Sequence, residues 1–128
     1  MVTKKQNDGP LDEAYPARRI LAFIGDKWTP VVIYCLSGGT RRFGELHNRI
    51  PDISKKMLTQ VLRRLERDGL VRRKVYPVVP PKTEYTLTPL GQRIHEPIAS
   101  LCRWAIDHPE DLRAIEVRRG RAEGSIVP

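Results

Sequence analysis

Residues 53–69 have the sequence I-S-K-K-M-L-T-Q-V-L-R-R-L-E-R-D-G, which carries signals for both ends of a single helix. Ser54 is a favourable N-cap, because its hydroxyl can accept a hydrogen bond from a backbone N–H that the first helical turn leaves unpaired. Gly69 is suited to end the helix, because glycine adopts the left-handed conformation at little cost. The stretch therefore predicts one capped helix.

This predicted helix has two unlike faces. Its apolar residues recur at helical spacing and fall on one side: Leu58, Val61, Leu62 and Leu65. The opposite side carries cationic and amide side chains: Lys56, Gln60, Arg63 and Arg67, flanked by Thr59 and Arg64. The apolar side predicts a core contact, with Leu58, Leu62 and Leu65 buried. The polar side has the residue types that reach phosphates and base edges in a DNA major groove, although a solvated helix face is the alternative.

The positive charge of the chain is concentrated around this helix. The 128 residues carry a formal net charge of +8. Residues 41–74 hold eleven Lys and Arg against four Asp and Glu, a net of +7, which leaves +1 for the rest of the chain. A basic segment of this kind favours a polyanionic partner, with double-stranded DNA as the first candidate and an anionic membrane surface as the weaker one.

Composition indicates one soluble domain with a modest core. Apolar residues make up 40% of the chain and charged residues 30%. No apolar run approaches the roughly 20 residues that span a bilayer, and the N-terminus lacks the apolar core of a signal peptide, so we expect a cytoplasmic protein. The two cysteines, Cys35 and Cys102, lie in apolar helical patterns, and we expect reduced, buried thiols; a disulfide or a redox sensor is the alternative.

Further elements follow from the rest of the chain. A polar arm is expected at residues 1–13, then helices from about Pro16 to Ile24, from an N-cap at Thr29 to the Gly38-Gly39 pair, and from Phe43 to Ile50. Thr40-Arg41-Arg42 could form a very short strand. Residues 70–76 and 82–87 alternate as two strands around a proline-rich loop, because prolines cannot donate to a strand ladder. A long helix from Pro89 to about Asp107 and a weak helix over 109–118 with a polar tail complete the chain.

The order of these elements predicts a mainly α fold with a small β-wing, a winged helix-turn-helix. The chain closely resembles the HxlR-type bacterial transcription regulators, a MarR-like group, over roughly residues 14–108. The matching motifs are G-D-K-W at 25–28, R-R-F-G-E-L at 41–46, the stretch 53–73, V-V-P-P-K-T-E-Y-T-L-T-P-L-G at 78–91, and Trp104. The resemblance implies a homodimer that binds an operator of two half-sites and regulates neighbouring genes, with repression as the commoner mode.

The resemblance also implies that the dimer forms through the terminal helices. The residues expected at that interface are Ile20, Leu21, Ile24, Ile94, Ile98, Leu101 and Trp104, with an intramolecular core as the alternative for these residues. Many sensing members carry a reactive cysteine-proline pair before the first helix, where this chain has Tyr15-Pro16. Tyrosine offers no comparable soft nucleophile, so we expect a non-covalent small-molecule effector near the dimer interface, or no effector.

The main DNA contacts are expected from the predicted recognition helix. Those residues are Ser54, Lys55, Lys56, Thr59, Gln60 and Arg63. Gln60 suits an adenine edge, and Lys56 or Arg63 suits guanine. Arg64 is expected at a phosphate or in solvent, Pro81 and Lys82 of the wing at a minor groove or its backbone, and Arg41 and Arg42 at phosphates or in structural salt bridges.

Other functions find less support in the sequence. His47, His95 and His108 have no metal-ligand spacing with each other or with the cysteines, and we see no phosphate-binding glycine loop or nucleophile elbow. We therefore expect no enzyme, no metal and no cofactor. A winged-helix module that binds other proteins without specific DNA binding is the main alternative, but such a module does not require the concentrated basic segment. RNA binding would favour stacking aromatic residues, which the basic face lacks.

Overall fold

The computed structural model describes residues 15–126, with side chains up to residue 120, so the predicted arm at 1–13 lies outside the described residues. Within this range the chain forms six helices and three strands. They are α1 Pro16–Ile24, α2 Thr29–Leu36, β1 Arg41–Arg42, α3 Phe43–Arg49, α4 Lys55–Arg67, β2 Val71–Tyr76, β3 Lys82–Leu87, α5 Pro89–Asp107 and α6 Pro109–Ile126. The predicted order of elements, and with it the winged helix-turn-helix, is confirmed.

Helix α4 has the two ends that its sequence predicts. The Ser54 side chain accepts a hydrogen bond from the Met57 backbone N–H at 3.0 Å, and Gly69 has a φ of 76° just beyond the helix. The apolar face is fully covered, because Leu58 is 0% exposed and Leu62 is 1% exposed. Burial of this face against the core therefore fixes which side of α4 points to solvent.

The start of α2 differs from the prediction. Thr29 was expected as the N-cap, but it lies inside the helix and is 0% exposed. The Asp26 carboxylate accepts hydrogen bonds from the backbone N–H groups of Trp28 and Thr29, each at 3.2 Å. Asp26 therefore satisfies backbone donors that the first turn would leave unpaired. A carboxylate accepts such hydrogen bonds more strongly than a hydroxyl does, which explains why Asp26 and not Thr29 caps the helix.

The three strands form one antiparallel sheet in the order β1-β3-β2. Arg42 of β1 and Lys74 of β2 both lie opposite Glu84 of the central strand, so these three residues form one row across the sheet. Val71 and Leu87 pair at the base of the hairpin, where both are buried. The hairpin is therefore anchored in the core at its base, and its loop of residues 77–81 projects outward as a wing.

The single chain buries part of the surface that was expected to form the dimer. Ile24 is 6% exposed and Ile98 is 2% exposed, and both belong to one apolar cluster with residues of α2 and α4. Since the chain's own core already covers them, they offer little surface to a partner, and we remove both from the predicted interface. The core alternative stated for Ile98 is the correct one.

The last helix is longer than expected. Its predicted end was residue 118, followed by a polar tail, whereas α6 continues to Ile126. The added residues include Arg, Ala and Glu, which are strong helix formers. Gly120 and Gly124 each cost a helix about 1 kcal/mol relative to alanine, which lowers its stability without ending it.

Candidate nucleic-acid interface

The outward face of α4 presents a continuous set of exposed polar side chains. Lys55, Lys56, Gln60 and Arg63 are all exposed, and the last three lie opposite the fully buried leucines of the same helix. Long cationic and amide side chains on an exposed helix are suited to phosphates and to base edges in a major groove. The structure therefore brings three of the six residues predicted in the recognition helix to the face opposite the core, and Lys55 is exposed in the first turn.

The two hydroxyl residues predicted beside them are partly committed to the helix itself. The Ser54 hydroxyl oxygen caps the helix through Met57, although its own proton is free to donate. Thr59 is half-buried, and its hydroxyl donates to the Lys55 backbone carbonyl at 2.8 Å. Thr59 is therefore a weaker candidate for DNA than the exposed side chains of α4.

Arg64 was expected at a phosphate or in solvent, and one nitrogen of its guanidinium contacts the α1–α2 turn. Its guanidinium nitrogen Nη2 is 3.3 Å from Asp26 Oδ2, and it also donates to the Thr29 hydroxyl. Burial raises the pKa of Asp26, but hydrogen bonds from Thr29 and Trp28 and the charge of Arg64 outweigh it and hold that pKa below its ordinary value. Because Nη2 is bound at the α1–α2 turn, Arg64 is a weaker candidate for DNA than the exposed side chains of α4, and its phosphate contact stays a prediction.

The other flank of α4 contacts strand β2. Glu66 Oε1 accepts a hydrogen bond from Arg73 Nε of β2 at 3.3 Å. Beside this pair lies a cleft of about 150 Å³ that is also lined by Thr59, Arg63 and Tyr85. Burial raises the pKa of the Tyr85 phenol, so its hydroxyl stays protonated at neutral pH. Arg73 was not among the predicted site residues. Its partner, Glu66, lies in α4, and a contact between a strand and a helix leaves no local pattern in the sequence.

A cluster of cations surrounds one aromatic ring at the base of the wing. The ammonium nitrogens of Lys74 and Lys82 lie 4.8 Å and 4.6 Å from the centre of the Tyr76 ring. The Tyr76 hydroxyl donates to Glu84 at 2.9 Å, and Glu84 is 4.0 Å from Lys82. Cation–π contacts of this kind hold long side chains in place. The predicted Lys82 therefore lies in an ordered cluster, while the sequence alternation alone did not single out Lys74.

The two arginines of β1 have different surroundings. Arg42 is exposed and lines a groove of about 460 Å³ with the wing residues Pro81 and Lys82. Arg41 is half-buried, and its Nε is covered without a hydrogen-bond partner among the described residues. Of the two, only Arg42 is well exposed for a phosphate beside the wing. Neither forms a salt bridge within the described range, so the structural alternative finds no support there.

Large apolar side chains remain exposed on the terminal helices. Leu21 of α1 is 55% exposed, and Leu101 and Trp104 of α5 are 66% and 44% exposed. The Trp104 ring stacks on His108, with ring centres 4.8 Å apart and an angle of 17° between the planes. Ile20 and Ile94 are half-buried. Large exposed apolar side chains on the two terminal helices make α1 and α5 the candidate surface for contact with another chain.

The cysteines are half-buried, which corrects the expectation that both are buried. Burial raises the pKa of the Cys35 thiol, although the charges of Arg49 and Arg41 act in the opposite direction. The reactive form of cysteine is the thiolate, and a raised pKa makes it rarer. Cys35 is therefore a poor nucleophile at neutral pH.

Over residues 15–126 no helix is long and apolar enough to cross a membrane, and no group of three potential metal ligands occurs.

Comparison with known proteins assigns this arrangement to a family. The model of the HxlR-like helix-turn-helix family matches residues 23–112. The chain belongs to this family. The HTH-type transcriptional regulator YtfH of Escherichia coli strain K12, which is described as uncharacterized, is 41% identical over 107 residues, covering 83% of this chain and 85% of YtfH.

Solved structures agree with the family assignment. The redox regulator HypR in its reduced form has a TM-score of 0.74 at 37% identity, covering 77% of this chain and 98% of that chain. A MarR-family structure from Porphyromonas gingivalis W83 has a TM-score of 0.73 at 38% identity, covering 77% and 96%. The resemblance predicted from the motifs is confirmed. This HxlR-like protein is a transcriptional regulator with a helix-turn-helix DNA-binding domain.

Proposed function

We propose that this HxlR-like protein is a sequence-specific repressor that binds double-stranded DNA in the cytoplasm through α4. The observation that carries the proposal is the exposed row of Lys56, Gln60 and Arg63, opposite an apolar face that is fully buried. A helix held by one face presents the other in a fixed orientation, as readout of base edges requires. Catalysis forms no part of this proposal.

Each side chain has a role that follows from its chemistry. Gln60 pairs with an adenine edge, because its amide both donates and accepts a hydrogen bond. Lys56 and Arg63 donate to guanine, and Lys55 contacts a phosphate at the start of the helix. The groove between Arg42 and Lys82 is lined by cations on both sides, which suits a phosphate backbone beside the wing.

The regulator acts as a homodimer on two half-sites. Leu21, Leu101 and Trp104 support this proposal, because they leave apolar surface exposed on α1 and α5. Two recognition helices related by a two-fold axis read half-sites about one helical turn apart, roughly 34–36 Å. A palindromic operator would therefore mirror the symmetry of the dimer.

Trp104→Ala is expected to weaken the dimer by roughly thirtyfold, because a central aromatic residue at an interface contributes about 2 kcal/mol or more. Sedimentation equilibrium of the wild type and the variant measures the effect. Val79→Ala is the matched apolar control, because Val79 is 100% exposed at the wing tip, away from α1 and α5. A dimer of unchanged strength in Trp104→Ala would remove α5 from the proposed interface.

A small apolar effector is proposed to bind near the dimer surface. A cleft of about 240 Å³ lies between α1 and the start of α5, and Phe23, Leu90 and Ile94 are among its lining residues. Its volume is just below the range of about 300–1,000 Å³ for typical ligand pockets, which favours a small molecule. Among the described residues, those that line this cleft include no cysteine, which supports non-covalent binding over a thiol reaction.

A gel-shift titration against the intergenic DNA upstream of the protein's own gene tests the proposed function. The expected result is a complex that survives excess random duplex and weakens between 50 and 200 mM salt, because phosphate contacts release counterions. Equal affinity for random duplex would show that the basic surface binds DNA without specificity. If the protein binds no DNA at low salt, either alone or with cell extract added as a source of effector, a protein-binding module would be favoured instead.

A further inference from the structure

Arg64 connects the recognition helix to a turn that takes no part in the proposed readout. It follows Arg63 directly on α4, yet its guanidinium contacts Asp26 and the hydroxyl of Thr29. Asp26 and Thr29 belong to the α1–α2 turn and the first turn of α2. The contact therefore spans elements that are separated by more than thirty residues in the sequence.

We propose that Arg64 is a positioning residue: within the orientation that the buried apolar face imposes, it sets the fine rotation of α4 about its own axis without touching DNA. Through that rotation it determines where Gln60 and Arg63 point, and so which base pairs the helix prefers. The inference rests on the proposed DNA binding and adds a residue that the recognition surface itself does not contain.

The anchor for Arg64 is rigid. Asp26 already accepts two backbone hydrogen bonds at the start of α2, each at 3.2 Å, and Thr29 is 0% exposed. The charge pair itself is as exposed as the pair on the other flank: the side chains of Arg64 and Asp26 are 39% and 45% exposed, and those of Glu66 and Arg73 are 40% and 46% exposed. Exposed pairs contribute little because solvent competes for both partners. What distinguishes Arg64 is its second partner, the Thr29 hydroxyl, which belongs to a fully buried residue.

Small rotations of α4 are enough to alter base readout. A side-chain tip about 6 Å from a helix axis moves by about 1 Å when the helix rotates by about 10°. A functional site has to hold its groups within about 0.5 Å of the productive geometry. If loss of the Arg64 contact lets α4 rotate by this amount, the tips of Gln60 and Arg63 move by more than readout allows.

Fluorescence anisotropy with the operator duplex, in wild type, Arg64→Ala, Asp26→Asn and the double variant, tests this role. Asp26→Asn keeps an oxygen that can cap α2, but it removes the charge that holds Arg64. Loss of a negative charge near DNA should by itself strengthen binding. The positioning role instead predicts binding about three- to tenfold weaker, the range expected for a partly exposed charge pair with one hydrogen bond. Arg64→Ala should show a similar loss, and the double variant no further loss.

Two controls keep the result interpretable. Glu110→Gln on α6 also removes one exposed negative charge, and it should bind as tightly as the wild type or slightly tighter. If circular dichroism shows that Asp26→Asn does not fold, Thr29→Val removes the second partner of Arg64 without any change of charge, and the same loss is expected. Unweakened binding in the folded variants, or losses that add in the double variant, would overturn the positioning role. A wild type that binds no DNA would overturn the proposed function and this inference with it.

Discussion

Leu62→Ala is expected to lower the free energy of unfolding by about 2–5 kcal/mol, the largest effect on stability that we predict for a single substitution in α4. Leu62 is 1% exposed and belongs to the central apolar cluster. Alanine would remove three buried carbon atoms and leave a cavity that the surrounding core fills only in part. Urea unfolding followed by circular dichroism at a fixed protein concentration measures the change.

Gln60→Ala is the matched control for this substitution, because Gln60 is exposed on the opposite side of the same helix. Its free energy of unfolding should change by less than about 0.5 kcal/mol. Equal losses in both variants would mean that α4 does not bury the side described above, and the orientation of the recognition helix would then be wrong.

Gly91→Ala is expected to destabilise the protein by about 1–3 kcal/mol, because a well-packed site has to move to admit the added methyl group. A Cβ atom at Gly91 would lie 2.2 Å from the Leu70 backbone oxygen and 3.1 Å from Leu87 Cδ2. The backbone contact cannot be relieved by a side-chain rotation, so the start of α5 would have to separate from the turn between α4 and β2. Thermal unfolding of the variant and the wild type measures the cost.

Gly44→Ala provides the control for Gly91→Ala, because a Cβ atom at Gly44 would meet nothing within 4 Å among the described residues. Gly44 is exposed in α3. Alanine is there expected to be neutral or to stabilise the helix by about 0.5–1 kcal/mol. If Gly91→Ala were tolerated as well as Gly44→Ala, the close approach of α5 to the chain at Leu70 would be contradicted.

Local sequence signals predicted the elements and the two faces of α4. Ser54 and Gly69 marked the ends of the helix, and the spacing of Leu58 and Leu62 identified its buried side. These signals are visible in sequence because capping and helical periodicity depend on residues at most a few positions apart. The wing was predicted equally well, because prolines separate two runs of β-forming residues.

Contacts between elements that are distant in the sequence could not be predicted from these local signals. Periodicity indicated that Ile24 and Ile98 belong to apolar faces, but not whether the chain's own core or a partner covers them. Arg64 falls at the border of the polar face of α4, and nothing near it in the sequence indicates Asp26 as its partner. Such pairs depend on how helices pack, which the local pattern leaves open.

The most direct test of base readout by α4 is a binding series over every single base-pair substitution in one operator half-site, measured with the wild type and with Gln60→Ala. We predict that substitution of one particular A·T pair weakens binding of the wild type by about 1–3 kcal/mol. Gln60→Ala should show no preference at that pair, while its preferences at the other positions stay as in the wild type. The same pattern of base preferences in both proteins would contradict the account, because Gln60 would then not face the bases.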